Sequence, residues 1–175
     1  MDEDERLAVC DELKQIVKVW RVLPQGEQNS SIGMQFRKAT VNEATVNGGF
    51  PQVPSGSRWP FQGANAIRQF QDSCGVEINS DVPIVFTHND LVPPNILLSP
   101  GPNPKVAAII DFGQAGWYPA YWEYCKARRV RVDPEHFSDA TQEGWWTKCL
   151  LMILDPVDDE GFYHPWLWFV LSRGI

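Results

Sequence analysis

At 175 residues, with 43% hydrophobic and 12% aromatic side chains and 15 Lys+Arg against 22 Asp+Glu for a net charge of -7, the chain has the size and composition of one acidic globular domain. The acidic balance argues against a large nucleic-acid or anionic-membrane footprint, because both need clustered cations to displace counterions. No run approaches the about 20 apolar residues of a membrane-spanning helix, and Met1-Asp2-Glu3-Asp4-Glu5 is opposite in charge to a secretory or mitochondrial leader, so a cytoplasmic protein with no nucleic-acid and no membrane partner is expected.

From Arg6 to Trp20 the residues Leu7, Cys10, Leu13, Ile16, Val17 and Trp20 recur at intervals of three and four, which predicts an amphipathic first helix within residues 1–24, ended by Pro24 and Gly26. Residues 25–60, with Gly48-Gly49, Pro51, Pro54 and Gly56, read as a long irregular connection of the kind that serves as a binding loop or is partly mobile. A short helix is expected from about Ala64 to Cys74, with Ile67 and Phe70 inward and Gly75 as its stop. Pro83 to Thr87 is apolar and β-branched and predicts a buried strand running into His88. Ile96 to Leu98 and Val106 to Ile110 predict a hairpin, since Ser99-Pro100-Gly101-Pro102-Asn103-Pro104 between them has turn chemistry.

After Pro119 the pattern becomes helical: Ala120 to about Val130, Pro134 to about Leu154 with Phe137, Trp145, Cys149, Met152 and Ile153 on one face, and a last helix from Pro165 within a helical region 120–175. The basic cluster Lys126, Arg128, Arg129 and Arg131 reads as a solvated helix end in preference to a phosphate-backbone site. Cys10, Cys74, Cys125 and Cys149 include no Cys-x-x-Cys pair and no His at metal-site spacing, so reduced, mostly buried thiols are expected.

The chemistry lies in residues 84–116. His88-Asn89-Asp90-Leu91-Val92-Pro93-Pro94-Asn95, the hairpin and then Asp111-Phe112-Gly113 match the order His-x-Asp-x-x-x-x-Asn, strand, turn, strand, Asp-Phe-Gly that forms the catalytic and metal loops of kinase folds. A carboxylate just after a strand can orient a hydroxyl nucleophile, which is the role read for Asp90. Magnesium needs hard oxygen ligands, which Asn95 and Asp111 supply from either side of the hairpin. His88 reads as a packing and hydrogen-bonding residue of the loop in preference to an acid–base catalyst.

With the further block Ile110-Asp111-Phe112-Gly113-Gln114-Ala115-Gly116-Trp117-Tyr118-Pro119-Ala120-Tyr121-Trp122-Glu123-Tyr124, the chain resembles the aminoglycoside phosphotransferase and choline kinase-like family, its fungal members above all. The likeness extends weakly back to the first helix and Ser31-Ile32-Gly33 and forward into the Trp-rich helices. It implies an α+β, mainly helical fold, the C-terminal lobe of a protein-kinase-like fold, with a small β-hairpin carrying the catalytic and metal loops. It also implies ATP-dependent, magnesium-assisted phosphoryl transfer to a hydroxyl of a small molecule. The stretch after Asp111 is short for a peptide platform, which favours a small-molecule acceptor. Six of the eight tryptophans lie between Trp117 and Trp168, either as a cage for a cationic amine or, the favoured reading, as core packing.

The resemblance has gaps. A Gly-rich phosphate loop with its strand Lys and helix Glu is not recognisable before His88, and Gly48-Gly49 and Ser31-Ile32-Gly33 are poor substitutes, so the N-terminal lobe is expected to be absent and binding of ATP and magnesium by this chain alone to be weak. Asn89 stands where the family has Gly, which predicts a backbone with φ > 0 that Asn tolerates best among other residues. Val92 replaces a second His, and Pro94 precedes Asn95. The alternative to an enzyme is a truncated or repurposed non-catalytic lobe, an interaction module with a protein partner on the face left open.

Overall fold

The computed structural model describes residues 1–25, 31–34, 61–62, 65–74 and 82–173. The first helix, α1, spans Glu3–Arg21, beginning three residues before the apolar periodicity. The cause is a capping box: the Asp2 carboxylate accepts from Glu5 N at 2.8 Å, and the Glu5 carboxylate accepts from Asp2 N at 3.0 Å. Glu3, Asp4 and Glu5 in the first turn and Lys18 and Arg21 in the last complement the helix dipole. The acidic leader is therefore helix-forming, and α1 buries Val9, Cys10, Leu13 and Val17.

Strands β1 (Ser31–Met34), β2 (Phe61–Gln62), β3 (Ile84–Thr87) and β6 (Gly116–Pro119) form an antiparallel sheet in the order β2-β1-β6-β3. β4 (Ile96–Leu98) and β5 (Val106–Ile109) form a separate hairpin, with Ile96 opposite Ile109 and a register shift between Leu97 and Leu98. Its turn has the expected chemistry: Gly101 and Asn103 take positive φ, and Ser99 N donates to Lys105 O at 2.8 Å. Helix α2 is Ala66–Cys74; the inward Ile67 and Phe70 and the stop at Gly75 lie outside the described side chains and residues.

Two expectations are corrected, and one strand that the sequence did not announce is added. Residues 25–60 are not wholly irregular, because Ser31–Met34 is strand β1; most of the rest lies outside the described residues. Gly116–Pro119 is a buried strand with no apolar alternation to announce it, paired on one side with β3 and on the other with β1. The helix predicted from Pro134 begins instead at Asp139, where Ser138 accepts from Thr141 N; α4 (Asp139–Gly144) continues through a π-helical segment, Trp145–Cys149, into α5 (Leu150–Ile153). A second π turn, Asp159–Tyr163, precedes α6 (His164–Arg173).

The core lies where α1 packs against α5, with α3 (Trp122–Arg129) and α6 completing it around Leu13, Leu91, Leu150 and Leu154. The tryptophans favour packing over a cage. Trp117, Trp122, Trp145 and Trp166 are buried, Trp122 meets Tyr118, Trp166 and Phe169 at ring distances of 5.2, 6.0 and 5.8 Å, and Trp146 is covered by the chain's own Arg131 at 4.1 Å. The basic cluster is less solvated than its composition suggests, since Arg128 pairs with Asp159 and Lys126 is partly buried against Gln114. No helix among the described residues is long and apolar enough to cross a membrane.

Candidate functional site

β3 and β6 pair with Thr87 opposite Gly116, and β4 and β5 with Ile96 opposite Ile109. Residues 88–95 and 110–115 therefore leave one sheet together and reach the other hairpin together, side by side. This topology brings the neighbourhoods of Asp90, Asn95 and Asp111 into one place, although Asp111 is 16 positions after Asn95 in the chain.

Hydrogen bonds tie the two loops. Ile110 N donates to Asn95 O at 2.9 Å, and the His88 ring nitrogen Nε2 donates to Ile110 O at 2.8 Å. His88 is fully buried, stacked on Trp20 at 6.0 Å and edge-on to Phe112 at 4.4 Å, so it holds the loops from beneath. Because Nε2 carries the donated hydrogen, a neutral ring leaves Nδ1 as a bare acceptor, and Nδ1 is buried with no partner among the described residues.

Asn89 has φ 62, the left-handed conformation that its replacement of Gly predicts. Its Nδ2 donates to Gln114 O at 3.1 Å, a third tie between the loops. Asn89→Ala should therefore lower stability by about 1–2 kcal/mol, combining left-handed strain with a lost hydrogen bond, whereas Asn89→Gly should cost less because it removes only the bond. Urea unfolding midpoints of the two variants check the order.

Asn95 Nδ2 donates to Asp90 O at 2.8 Å and to the Asp90 carboxylate at 3.1 Å. With its nitrogen so committed, the amide oxygen is the atom left for another ligand. Asp111 is also left-handed, with φ 63 and ψ 58, and its exposed carboxylate makes no hydrogen bond among the described residues. A Cβ on Gly113 would come within 3.3 Å of Asp111 Oδ1, so the absence of a side chain there keeps room beside the carboxylate. These all-oxygen donors suit a hard cation such as magnesium. Among the described residues no three His, Cys, Asp or Glu side chains converge, so the chain's own groups would hold only part of such an ion's shell, as sites completed by substrate phosphates do.

A residue with no role assigned from the sequence braces the site. Glu123, buried in α3, accepts Asn89 N at 2.9 Å and Leu91 N at 3.2 Å, one on each carboxylate oxygen, and so fixes the backbone on both sides of Asp90. Burial pushes its carboxyl up from the ordinary range, opposed by those two N–H groups and by His88 and Lys126. Lys126, one turn further on, is pulled down by burial and held up in part by Asp90 and Glu123, while its ammonium donates to the Gln114 side chain. Tyr118 is raised by burial and by the charge of Glu123. The available signal was an acid wedged between Trp122 and Tyr124 at the start of an aromatic helix; its donors lie 32 to 34 residues away and could not be read locally.

Neither a curated protein nor a solved structure matches the chain. The profile of the phosphotransferase enzyme family, APH, matches residues 60–148, just over half of the chain and the whole of both loops. The strand, the His-x-Asp loop, the hairpin and the Asp-Phe-Gly loop tied to it by three hydrogen bonds all fall within that match, and the chain belongs to the phosphotransferase enzyme family.

Proposed function

We propose that the chain is the C-terminal, acceptor-side lobe of a kinase-like phosphotransferase that moves the γ-phosphoryl group of ATP to a hydroxyl of a small molecule. The observation that carries the reading is the Asn95 amide, which donates to Asp90 through its nitrogen and leaves its oxygen uncommitted, together with the exposed Asp111 carboxylate, which makes no hydrogen bond among the described residues. Asp90 accepts the proton of the acceptor hydroxyl as that oxygen turns on the phosphorus. Asn95 fixes the Asp90 side chain, and Asn95 and Asp111 are the residues that would hold magnesium. What bound Mg-ATP supplies is an electrophilic phosphoryl group whose charge the cation offsets. His88 touches no reactant in this scheme and keeps the two loops in register.

The Gly-rich loop and its Lys are not recognisable in these 175 residues, so we expect the nucleotide to bind weakly to them alone. The test is phosphorylation of a panel of small alcohols and amino alcohols with γ-labelled ATP, with and without a segment carrying that loop and Lys. Asp111→Asn is expected to raise the magnesium concentration for half-maximal rate by at least the about 10–100-fold that losing a ligand's supporting partner costs, with partial recovery in excess metal. A metal titration of initial rates reads it directly.

A second reading, a non-catalytic interaction module, is favoured by the exposure of Leu97 and Ile110 on and beside the hairpin. It predicts no phosphoryl transfer to any alcohol under either condition, together with association of a protein partner that Leu97→Lys abolishes.

A further inference from the structure

We propose that Lys126 is the phosphoryl-binding cation of the site, an ammonium that meets the oxygens of the phosphoryl group on its way to the acceptor hydroxyl. The inference rests on the reading of Asp90 as the base and adds a residue to which that reading gives no role.

Hydrogen bonds place Lys126 between the two loops. Glu123, one turn earlier on α3, holds Asn89 N and Leu91 N on either side of Asp90, so this face of the helix lies against the His-x-Asp loop. The Lys126 ammonium itself donates to the side chain of Gln114, the last residue of the turn Phe112–Gln114 that follows Asp111. Gln114 O accepts from Asn89 Nδ2 at 3.1 Å, which ties the same turn to the residue before Asp90. The ammonium is thus fixed at one end of a turn whose other end carries the Asp111 carboxylate. Lys126, Gln114 and Asp90 are each only partly buried, so this junction is not sealed from a ligand.

What marks the residue is an unmatched charge. Gln114 is its one hydrogen-bond partner among the described residues, and no carboxylate there comes within ion-pair distance of it, whereas Arg128 on the same helix pairs with Asp159. An ammonium drawn out of water ordinarily finds a counter-charge, because the unpaired ion is costly to desolvate. Burial pulls Lys126 down from the ordinary lysine range, and the negative charges of Asp90 and Glu123 hold it up from beyond contact distance. An ammonium has several donors, and only one is given to a neutral amide here. An anion with several oxygens, beside the base, is the ligand that matches the rest.

In the transfer the acceptor oxygen bonds to phosphorus as the bond from phosphorus to the bridging oxygen of ATP breaks, and the bonding pair leaves with ADP. Asp90 takes the hydroxyl hydrogen. Lys126 keeps all its protons and contributes charge alone, offsetting that of the phosphoryl oxygens. A purely structural lysine would instead tie α3 to the turn through Gln114 and do nothing more, and mutation separates the two roles.

The probe is inorganic tripolyphosphate with magnesium, titrated against the 175-residue protein and followed by phosphorus NMR. The expected result is saturable binding at millimolar concentration that Lys126→Met weakens about tenfold or more, as the loss of a hydrogen bond to a charged group does. Lys126→Arg should keep most of the affinity, and Gln114→Ala, which removes the tether and leaves the charge, should keep nearly all of it. Lys126→Met should unfold at the wild-type temperature or above, because an unmatched charge gives way to an apolar chain of similar length. Equal binding by the wild type and Lys126→Met, no saturable binding by the wild type, a parallel loss in Gln114→Ala, or a Lys126→Met protein that is less stable or does not fold would overturn the proposal. With the segment carrying the Gly-rich loop and Lys present, Lys126→Met should lower transfer about 10²–10³-fold, without the relief by excess magnesium expected of Asp111→Asn. Tripolyphosphate held through Lys126 while no alcohol is phosphorylated would support the anion site and remove the phosphotransferase reading. Transfer that is indifferent to Lys126→Met would keep that reading and overturn this one.

Discussion

Asp90→Asn is expected to lower phosphoryl transfer about 10²–10⁴-fold, the usual consequence of removing a general base, with little change in the KM for ATP. The substitution keeps the size of the side chain and an oxygen that can still accept from Asn95, and the 2.8 Å bond from Asn95 to Asp90 O is a main-chain contact that it leaves alone. Loop geometry should therefore survive, and the loss should fall on kcat. Under the proposed mechanism Asp111→Asn should give a different signature, because Asp111 is assigned to the cation and Asp90 to the nucleophile: its loss should be relieved in part by metal, and that of Asp90→Asn should not. Steady-state rates against magnesium and ATP separate the two. Equal turnover by the wild type and Asp90→Asn would refute the assigned base and favour the interaction-module reading.

Glu123→Ala is expected to have the largest effect on stability. It strands the Asn89 and Leu91 N–H groups in a buried site, at about 1–3 kcal/mol each, so a total of about 2–6 kcal/mol and a fall in Tm of about 4–24 °C should follow. Glu123→Gln should cost roughly half as much, since its amide oxygen serves one donor while its nitrogen confronts the other. Thermal unfolding of the three proteins checks the order. The pH dependence has a definite sign. Burial raises the Glu123 carboxyl in the folded state above its ordinary value of 4.5, so the folded chain retains a proton that the unfolded chain has released. This contribution to stability is fully present below 4.5 and is lost as pH rises through the folded value. Urea midpoints measured from pH 4 upward should decline more steeply for the wild type than for Glu123→Gln, and parallel curves would contradict the assignment.

Glu123 also shows where reading along the chain stops. The acid is visible between two aromatic residues, but its function is to hold Asn89 and Leu91, which belong to a loop on the far side of the hairpin. Lys126 is a similar case: its place in a run of basic residues suggested a solvated helix end, and the fold turns its ammonium toward Gln114 and Asp90.

What the sequence by itself determined is what neighbouring residues dictate. The three-and-four spacing of Leu7 to Trp20 made α1 amphipathic, the prolines and glycine of residues 99–104 forced the hairpin turn, and the replacement of Gly by Asn89 announced a positive φ, because each depends on backbone sterics or side-chain periodicity within a few residues. The motif order placed Asp90, Asn95 and Asp111 at the ends of those elements, and the structure carries the loops that bear them side by side. Only the tertiary structure decided the pairing of Gly116–Pro119 with both β3 and β1, the burial of His88 between Trp20 and Phe112, and the carboxylate brace beneath Asp90. Those features join residues remote in the chain. They exist because buried N–H groups and apolar rings must find partners wherever the fold places them, and that requirement leaves no periodic trace in the sequence around any one of them.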